Sequence, residues 1–154
     1  MDFTIRFESL TYYGRGPFEN YQDRNFAAQV GVYRQKVSEQ YFHYVIPQET
    51  GNKTDVRWFR ISNSKGVGLL IYSDSLLNMS ALHVLDGELD NGMSQNNRHA
   101  ADVVKTSLTQ LHIDYKQMGV GGIDSWGAKP LNNYLIPLQN YSYKFYLVPE
   151  ILKN

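Results

Sequence analysis

The chain has 154 residues, with 15 basic and 15 acidic side chains, so its formal net charge is zero. A chain of this length suits one compact domain with its own hydrophobic core. The charge balance argues against nucleic acid and anionic membrane surfaces as partners, because both select a basic excess. Cysteine is absent, which excludes disulfides, thiolate catalysis and cysteine-ligated zinc.

Strand patterns dominate the first half of the chain. Residues 2–8, DFTIRFE, alternate apolar and polar side chains like a half-buried strand and lack the apolar core of a signal peptide. Residues 13–24 and 46–55 are polar, contain glycine and proline, and are predicted to be long loops. Residues 55–62 and 67–73, separated by NSKG, predict a β-hairpin.

The second half continues the β pattern. Residues 94–106 allow at most a short helix, because their apolar stripe is narrow. Residues 106–115, TSLTQLHIDY, alternate like a strand, and residues 133–139 with residues 141–149 predict a closing hairpin. The predicted class is all-β with antiparallel pairing and long connecting loops.

Several carboxylates lie in the predicted loops, namely Glu19, Asp23, Glu49 and Asp55. A glycosidase needs two carboxylates that face each other across the scissile bond, and a sequence alone does not reveal such facing. Loop carboxylates more often cap turns or pair with arginines. Three arginines are near in sequence: Arg15, Arg24 and Arg57. We therefore favour a structural role for these carboxylates.

Metal sites find little support in the sequence. Residues 86–92, DGELDNG, begin like a calcium loop, but Asn91 and Asn97 stand where that loop requires Gly and Glu. None of the four histidines forms the HExxH pair of a zinc helix. The sequence therefore predicts no metal site and no cofactor in this chain, and a solvated turn at residues 86–92.

Residues 117–126, QMGVGGIDSW, concentrate three glycines before one of the two tryptophans. They do not form a dinucleotide-binding motif, because Asp124 stands where GxGxxG needs glycine. Glycines such as Gly121 and Gly122 permit positive φ and close backbone approach. From residue types alone, two interpretations are equally favoured: Trp126 packs into a core, or the loop holds its ring outward to stack on a sugar.

Three longer stretches carry a family resemblance: residues 12–24 (YYGRGPFENYQDR), 46–58 (IPQETGNKTDVRW) and 114–130 (DYKQMGVGGIDSWGAKP). Together they closely resemble the C-terminal, or small-chain, domain of the large bacterial β-galactosidases of glycoside hydrolase family 2. The resemblance implies an antiparallel β super-sandwich similar to the galactose mutarotase fold. Residues 1–154 would form a single domain, corresponding to the later part of that super-sandwich.

The resemblance also implies a function. Such enzymes hydrolyse terminal β-D-galactosides with glutamates on a separate TIM-barrel domain, where Mg²⁺ and Na⁺ are also expected. The implied partners of this chain are the other domains of the parent enzyme and the galactoside. By position, Trp126 would supply an aromatic platform for the aglycone side of the sugar, and no residue here would be catalytic. A bacterial protein of the cytoplasm or periplasm is implied.

The supporting residues follow from the same matches. The platform loop would be held by Gly121, Gly122, Asp124 and Ser125. A polar network fixing the long loops would consist of Arg15, Glu19, Asn20, Arg24, Glu49 and Arg57. The alternative function is a stand-alone carbohydrate-binding β-sandwich module that uses Trp58, Trp126 and surface tyrosines.

The start of the chain raises an expectation about assembly. Met1 and Asp2 open directly on a strand, which favours an excised fragment or a natural small chain. Since a partial sandwich leaves sheet edges and apolar surface uncovered, we expect the isolated chain to associate with itself.

Overall fold

The computed structural model describes residues 1–3, 6–93, 98–122, 124 and 126–152. These residues form an open antiparallel sheet of seven strands with very little helix, which confirms the predicted all-β class. The strands are β1 (Asp2–Phe3), β2 (Ser9–Gly16), β3 (Gln29–Lys36), β4 (Lys53–Ser62), β5 (Val67–Leu82), β6 (Thr109–Asp114) and β7 (Phe145–Ile151).

The sheet is organised around the long strand β5. The strand order is β1-β6-β5-β4-β2-β3, and β7 pairs with β5. The first part of β5, residues 67–73, pairs with β7, and residues 78–82 pair with β6. On its other side β5 pairs with β4, which confirms the predicted hairpin around NSKG.

The predicted closing hairpin is wrong. Residues 133–139 contain no strand, and a short 3₁₀ turn at Asn132–Tyr134 lies at their start. Pro137 has no N–H to donate to a ladder. Strand β7 pairs instead with residues 67–73 of β5, far away in sequence. Its partner is therefore set by the tertiary fold and not by the nearest turn.

A second difference concerns β2 and β3. The glycine-rich residues 13–16 were expected in a loop, but they form the end of β2, which pairs with β3 on one side and with β4 on the other. A Cβ on Gly14 would lie 2.9 Å from Cγ2 of Val56. Glycine at this position therefore allows close packing of β2 on β4 and does not mark a break in the sheet.

The two faces of the sheet differ in burial. One face of β2, β4 and β5 carries fully buried side chains, among them Leu10, Tyr12, Phe59, Ile61 and Ile71. The opposite face carries a half-exposed cross-strand row: Tyr13, Trp58, Tyr72 and Tyr146. This alternation is the period of two expected of strands with one buried face. Each buried apolar side chain stabilises the sheet by about 1.5–3 kcal/mol.

The connection between β5 and β6 contains short helical turns. Residues 86–92, expected to be a solvated turn, begin with a one-turn helix α1 (Asp86–Leu89) whose Leu89 is buried beside Leu82 and Val84. Within residues 94–106 the structure places a 3₁₀ turn at Ala100–Asp102, and residues 94–97 lie outside the described residues. None of the described helices is long and apolar enough to cross a lipid bilayer.

Candidate functional site

Three long loops meet at one end of the sheet. They comprise residues 17–28, which follow β2, residues 40–52, which precede β4, and residues 115–135, which follow β6. The strand register brings their ends together, because Lys53 pairs with Met79 and Asn78 pairs with Asp114. We call these three segments the loop cluster. It contains all three stretches that carry the family resemblance, apart from their strand residues.

Glu19 joins the first loop to the second. Its Oε2 accepts hydrogen bonds from the Thr50 hydroxyl at 3.1 Å and from the backbone N–H of Gly51 at 2.8 Å. The Tyr44 hydroxyl donates to its other oxygen. The partners of this predicted network residue are therefore hydroxyls and a backbone amide, and not the expected arginines.

Asn20 is the most deeply buried member of the predicted network, with 1% of its surface exposed. Its side-chain nitrogen donates to the carbonyls of Arg15 at 3.1 Å and Phe18 at 3.0 Å. Its side-chain oxygen accepts from the backbone N–H and the hydroxyl of Thr54, at 3.0 Å and 2.5 Å. Asn20 thus fastens the first loop to the start of β4.

Arg15 forms the ion pair that the sequence led us to expect of the arginines, with a carboxylate on β4. Its Nε lies 2.6 Å from Oδ2 of Asp55, and its Nη1 donates to the carbonyl of Ala28 at 2.9 Å. Asp55 has a φ of 53° at an irregularity in the pairing of β4 with β5. Such a bulge turns a side chain away from its regular direction, here toward Arg15.

The remaining two predicted arginines have separate environments. The Arg57 guanidinium lies over the ring of Tyr13, 5.1 Å from its centre, and donates to the carbonyl of Asp55. Arg24 closes a backbone turn with Tyr21, and its side chain lines a cavity beside Glu19. The six predicted residues thus lie in or beside the loop cluster but do not form one continuous network of direct contacts among the described bonds.

Glu49, the sixth residue of that set, lies near His112 of β6. The Nδ1 atom of His112 is 3.8 Å from Oε2 of Glu49, and its Nε2 is 3.0 Å from Oδ1 of Asp86. Burial raises the pKa of the Glu49 carboxyl, and the nearby imidazole opposes this rise. Sequence reasoning missed these contacts of His112, because they join residues that are far apart along the chain.

A buried lysine lies behind the first two loops. Lys53 is 2% exposed, and its Nζ donates to the carbonyl of Gly51 at 3.0 Å. Burial lowers the pKa of this ammonium to about 8, partly offset by the Glu19 carboxylate. Lys53 lines a cavity of about 560 Å³ together with Phe18, Arg24 and Phe42. Sequence reasoning missed Lys53, because it lies in residues 46–55, which the sequence predicts to be a polar loop.

The third loop presents the tryptophan. Gly121, Gly122 and Gly127 have φ values of 68°, 84° and 84°, a region that other residues rarely adopt. Oδ1 of Asp124 accepts the backbone N–H of Trp126 at 2.8 Å and that of Ala128 at 3.3 Å. The Trp126 side chain is 91% exposed. Ser125, predicted to support this loop, lies outside the described residues.

The first loop also holds the third. Oδ1 of Asp23 accepts the backbone N–H of Val120 at 3.1 Å, and Oδ2 accepts that of Gly121 at 2.8 Å. The sequence had grouped Asp23 with possible turn formers and had not named it among the site residues. Because its partners are backbone N–H groups and not particular side chains, the sequence does not indicate this contact.

The described residues of the loop cluster offer no metal site. Across the described ranges, no group of three or more histidine or carboxylate side chains is arranged to hold a metal ion. The carboxylates of the loop cluster bind hydroxyls, backbone amides or a histidine, and Asp55 on the adjoining strand β4 binds an arginine. The arrangement is therefore suited to fixing loops and displaying an aromatic ring.

Comparison with known proteins points to one family. The model of the family described as "Beta galactosidase small chain" matches residues 1–147. A β-galactosidase of Priestia megaterium is 44% identical over 144 residues, which are 93% of this chain and 13% of that protein. One of Streptococcus thermophilus is 31% identical over 153 residues, 97% of this chain and 14% of the relative.

A third relative, a β-galactosidase of Pseudoalteromonas haloplanktis, is 31% identical over 142 residues, or 92% of this chain. The chain covers 12% of that protein. The matched region is thus nearly the whole of this chain but a small part of each relative.

Proposed function

This chain belongs to the β-galactosidase small-chain family, and we propose that it is an accessory domain of a β-galactosidase that hydrolyses terminal β-D-galactosides. In this proposal the catalytic glutamates lie on a separate barrel domain of glycoside hydrolase family 2 type. The chain would occupy the C-terminal part of the enzyme, within a super-sandwich of the mutarotase-like kind. Its contribution to catalysis is then to bind and orient, and not to transfer protons.

Trp126 is the residue that acts in this proposal. The supporting observation is that its ring is 91% exposed in a loop of defined shape. Tryptophan is highly buried on average in folded proteins, so an indole exposed to this extent is accessible to a ligand or to a neighbouring domain. An exposed indole offers a flat face on which the apolar face of a sugar or an aromatic aglycone can stack. Asp124, Gly121 and Gly122 keep that face outward.

Substitution of Trp126 tests the proposal. In the full-length β-galactosidase that contains this chain, Trp126→Ala should raise KM about fivefold, since stacking of this kind contributes about 1 kcal/mol. Trp126→Phe retains an aromatic ring, so its KM should lie between that of the wild-type enzyme and that of Trp126→Ala. Leu138, another fully exposed apolar residue, provides the control substitution Leu138→Ala. A KM for Trp126→Ala equal to that of the control would remove Trp126 from the substrate site.

A second candidate function draws support from the exposed face of the sheet. Tyr13, Trp58, Tyr72 and Tyr146 follow one another across four strands. The rings of Tyr72 and Tyr146 stack at 4.8 Å, and a cleft of about 430 Å³ lies beside Trp58. Tyrosine and tryptophan rings combine an apolar face with a polar tip, and this combination suits stacking on the apolar face of a sugar. This favours a carbohydrate-binding module that functions without other domains.

Calorimetric titration of the chain with galactose or lactose separates the two functions. Millimolar or tighter binding by this chain alone would favour the module. An absence of heat, together with the KM effect of Trp126→Ala in the full enzyme, would favour the accessory domain. Self-association of the isolated chain stays a prediction, supported by the exposed apolar side chains Val30 and Val32 on the edge strand β3.

A further inference from the structure

We propose that Asp23 is the positioning residue for Trp126, so that the first loop of the cluster controls where the third loop holds its aromatic ring. This inference rests on the proposed function of Trp126 and names a residue through which that function depends on the rest of the domain. Asp23 is 98 residues away from Gly121 in sequence.

The carboxylate of Asp23 binds two consecutive backbone amides. One oxygen accepts the N–H of Val120 at 3.1 Å and the other accepts the N–H of Gly121 at 2.8 Å. Hydrogen bonds to a charged acceptor are shorter and stronger than those between neutral groups. Because each oxygen has its own donor, the Gly119–Val120 and Val120–Gly121 peptide groups are both held in place by Asp23.

The chain beside this contact leaves no space for a side chain at position 119. A Cβ on Gly119 would lie 2.6 Å from Oδ2 of Asp23 and 2.8 Å from Cβ of Tyr134. The N–H of Gly119 donates to the carbonyl of Tyr134 at 2.8 Å. Glycine at this position therefore allows the incoming chain to pass between Asp23 and the outgoing chain.

The part of the third loop that carries Trp126 begins at Gly121. Its φ of 68° turns the chain, and a Cβ there would be 3.1 Å from the carbonyl oxygen of Ala128 and 3.3 Å from the nitrogen of Pro130. The incoming and outgoing chains thus approach each other closely at Gly121. After Gly121, the Asp124 carboxylate holds the loop around Trp126 by accepting the backbone N–H groups of Trp126 and Ala128. Asp23 fixes Val120 and Gly121. These residues in turn set the position of the Trp126 ring.

Asp23→Asn tests the role of the carboxylate with almost no change in shape. An amide presents one oxygen and one NH₂ group, so one backbone N–H loses its acceptor and faces a donor. In the full-length enzyme we expect KM to rise about three- to fivefold, approaching but not exceeding the effect of Trp126→Ala. We expect kcat to change little. Asp74→Asn, at an exposed position on β5, is the matched control and should leave KM unchanged.

A double substitution separates positioning from general stability. If Asp23 acts through Trp126, adding Asp23→Asn to Trp126→Ala should raise KM no further. Gly119→Ala, which pushes against the same carboxylate, should reproduce the effect of Asp23→Asn. Hydrogen exchange in the full-length enzyme should become faster in a peptide covering residues 116–130 and stay unchanged in β4 and β5.

The outcomes distinguish this inference from the function on which it rests. An unchanged KM for Trp126→Ala would overturn the proposed function and the inference together. A raised KM for Trp126→Ala with wild-type values for Asp23→Asn would overturn only the positioning role. Additive effects of the two substitutions, or faster exchange throughout the sheet, would also overturn it, because they indicate a loss of fold and not of loop position.

Discussion

Replacing Asn20 by alanine removes a buried side chain that connects the first loop of the cluster to β4. The substitution leaves four groups without their partner: the carbonyls of Arg15 and Phe18, and the N–H and hydroxyl of Thr54. Thr54 is 2% exposed, so water does not easily replace the lost acceptor. The two carbonyls lie nearer the surface and can be hydrated in part.

The magnitude follows from these four bonds. A typical hydrogen bond contributes about 1 kcal/mol, and an unsatisfied buried group costs about 1–3 kcal/mol. Counting Thr54 at full cost and the two carbonyls at a reduced cost, we expect Asn20→Ala to lower the free energy of unfolding by about 3–4 kcal/mol. That is a large fraction of the stability of a domain of this size.

Urea-induced unfolding of the 154-residue chain, followed by tryptophan fluorescence, measures this difference. Asn140→Ala, at an exposed position, is the matched control. Asn20→Asp keeps an oxygen for Thr54 but places a charge against the two carbonyls, so it should also destabilise the chain. A loss below about 1 kcal/mol for Asn20→Ala, equal to that of the control, would refute the account of how the loops are fixed.

Two further predictions concern pH. Burial lowers the pKa of Lys53 from 10.5 in the unfolded chain to about 8 in the folded one, so the unfolded chain binds more protons between these values. Unfolding free energy should therefore rise as the pH increases from 8 to 10.5, and Lys53→Met should abolish this rise in urea titrations at several pH values. Burial also lowers the pKa of His83, whose Nε2 contacts the Phe7 carbonyl at 2.8 Å. Stability should fall as the pH drops below the unfolded value of 6.5, and His83→Gln should flatten this part of the profile.

The local part of the fold was predictable from the sequence. The β4–β5 hairpin and β6 follow from alternating apolar residues and the NSKG turn, whose Gly66 has a φ of 78°. The wrong predictions involve pairing between distant segments. Strand β7 pairs with β5, and Gly14 of β2 serves close packing against Val56. Neither can be deduced from a short window of sequence.

The candidate site was predictable in its residue types and not in its contacts. Charged residues in the loops indicated that the loops are held together, but the expected partners were arginines. Of the three predicted arginines, Arg15 alone forms an ion pair among the described contacts, and its carboxylate partner, Asp55, lies outside the predicted network. Glu19 and Asp23 bind backbone amides, and every residue type except proline carries a backbone N–H. Only the fold shows which amide a carboxylate reaches.

The central claim is that Trp126 acts as a sugar platform for an active site on another domain. Its most direct test is the KM of the full-length enzyme and of Trp126→Ala for galactosides with an aromatic aglycone and for methyl β-galactoside. The account predicts a rise of about fivefold for the aromatic substrate and a smaller rise for the methyl one. Identical KM values for the two enzymes on both substrates would contradict it.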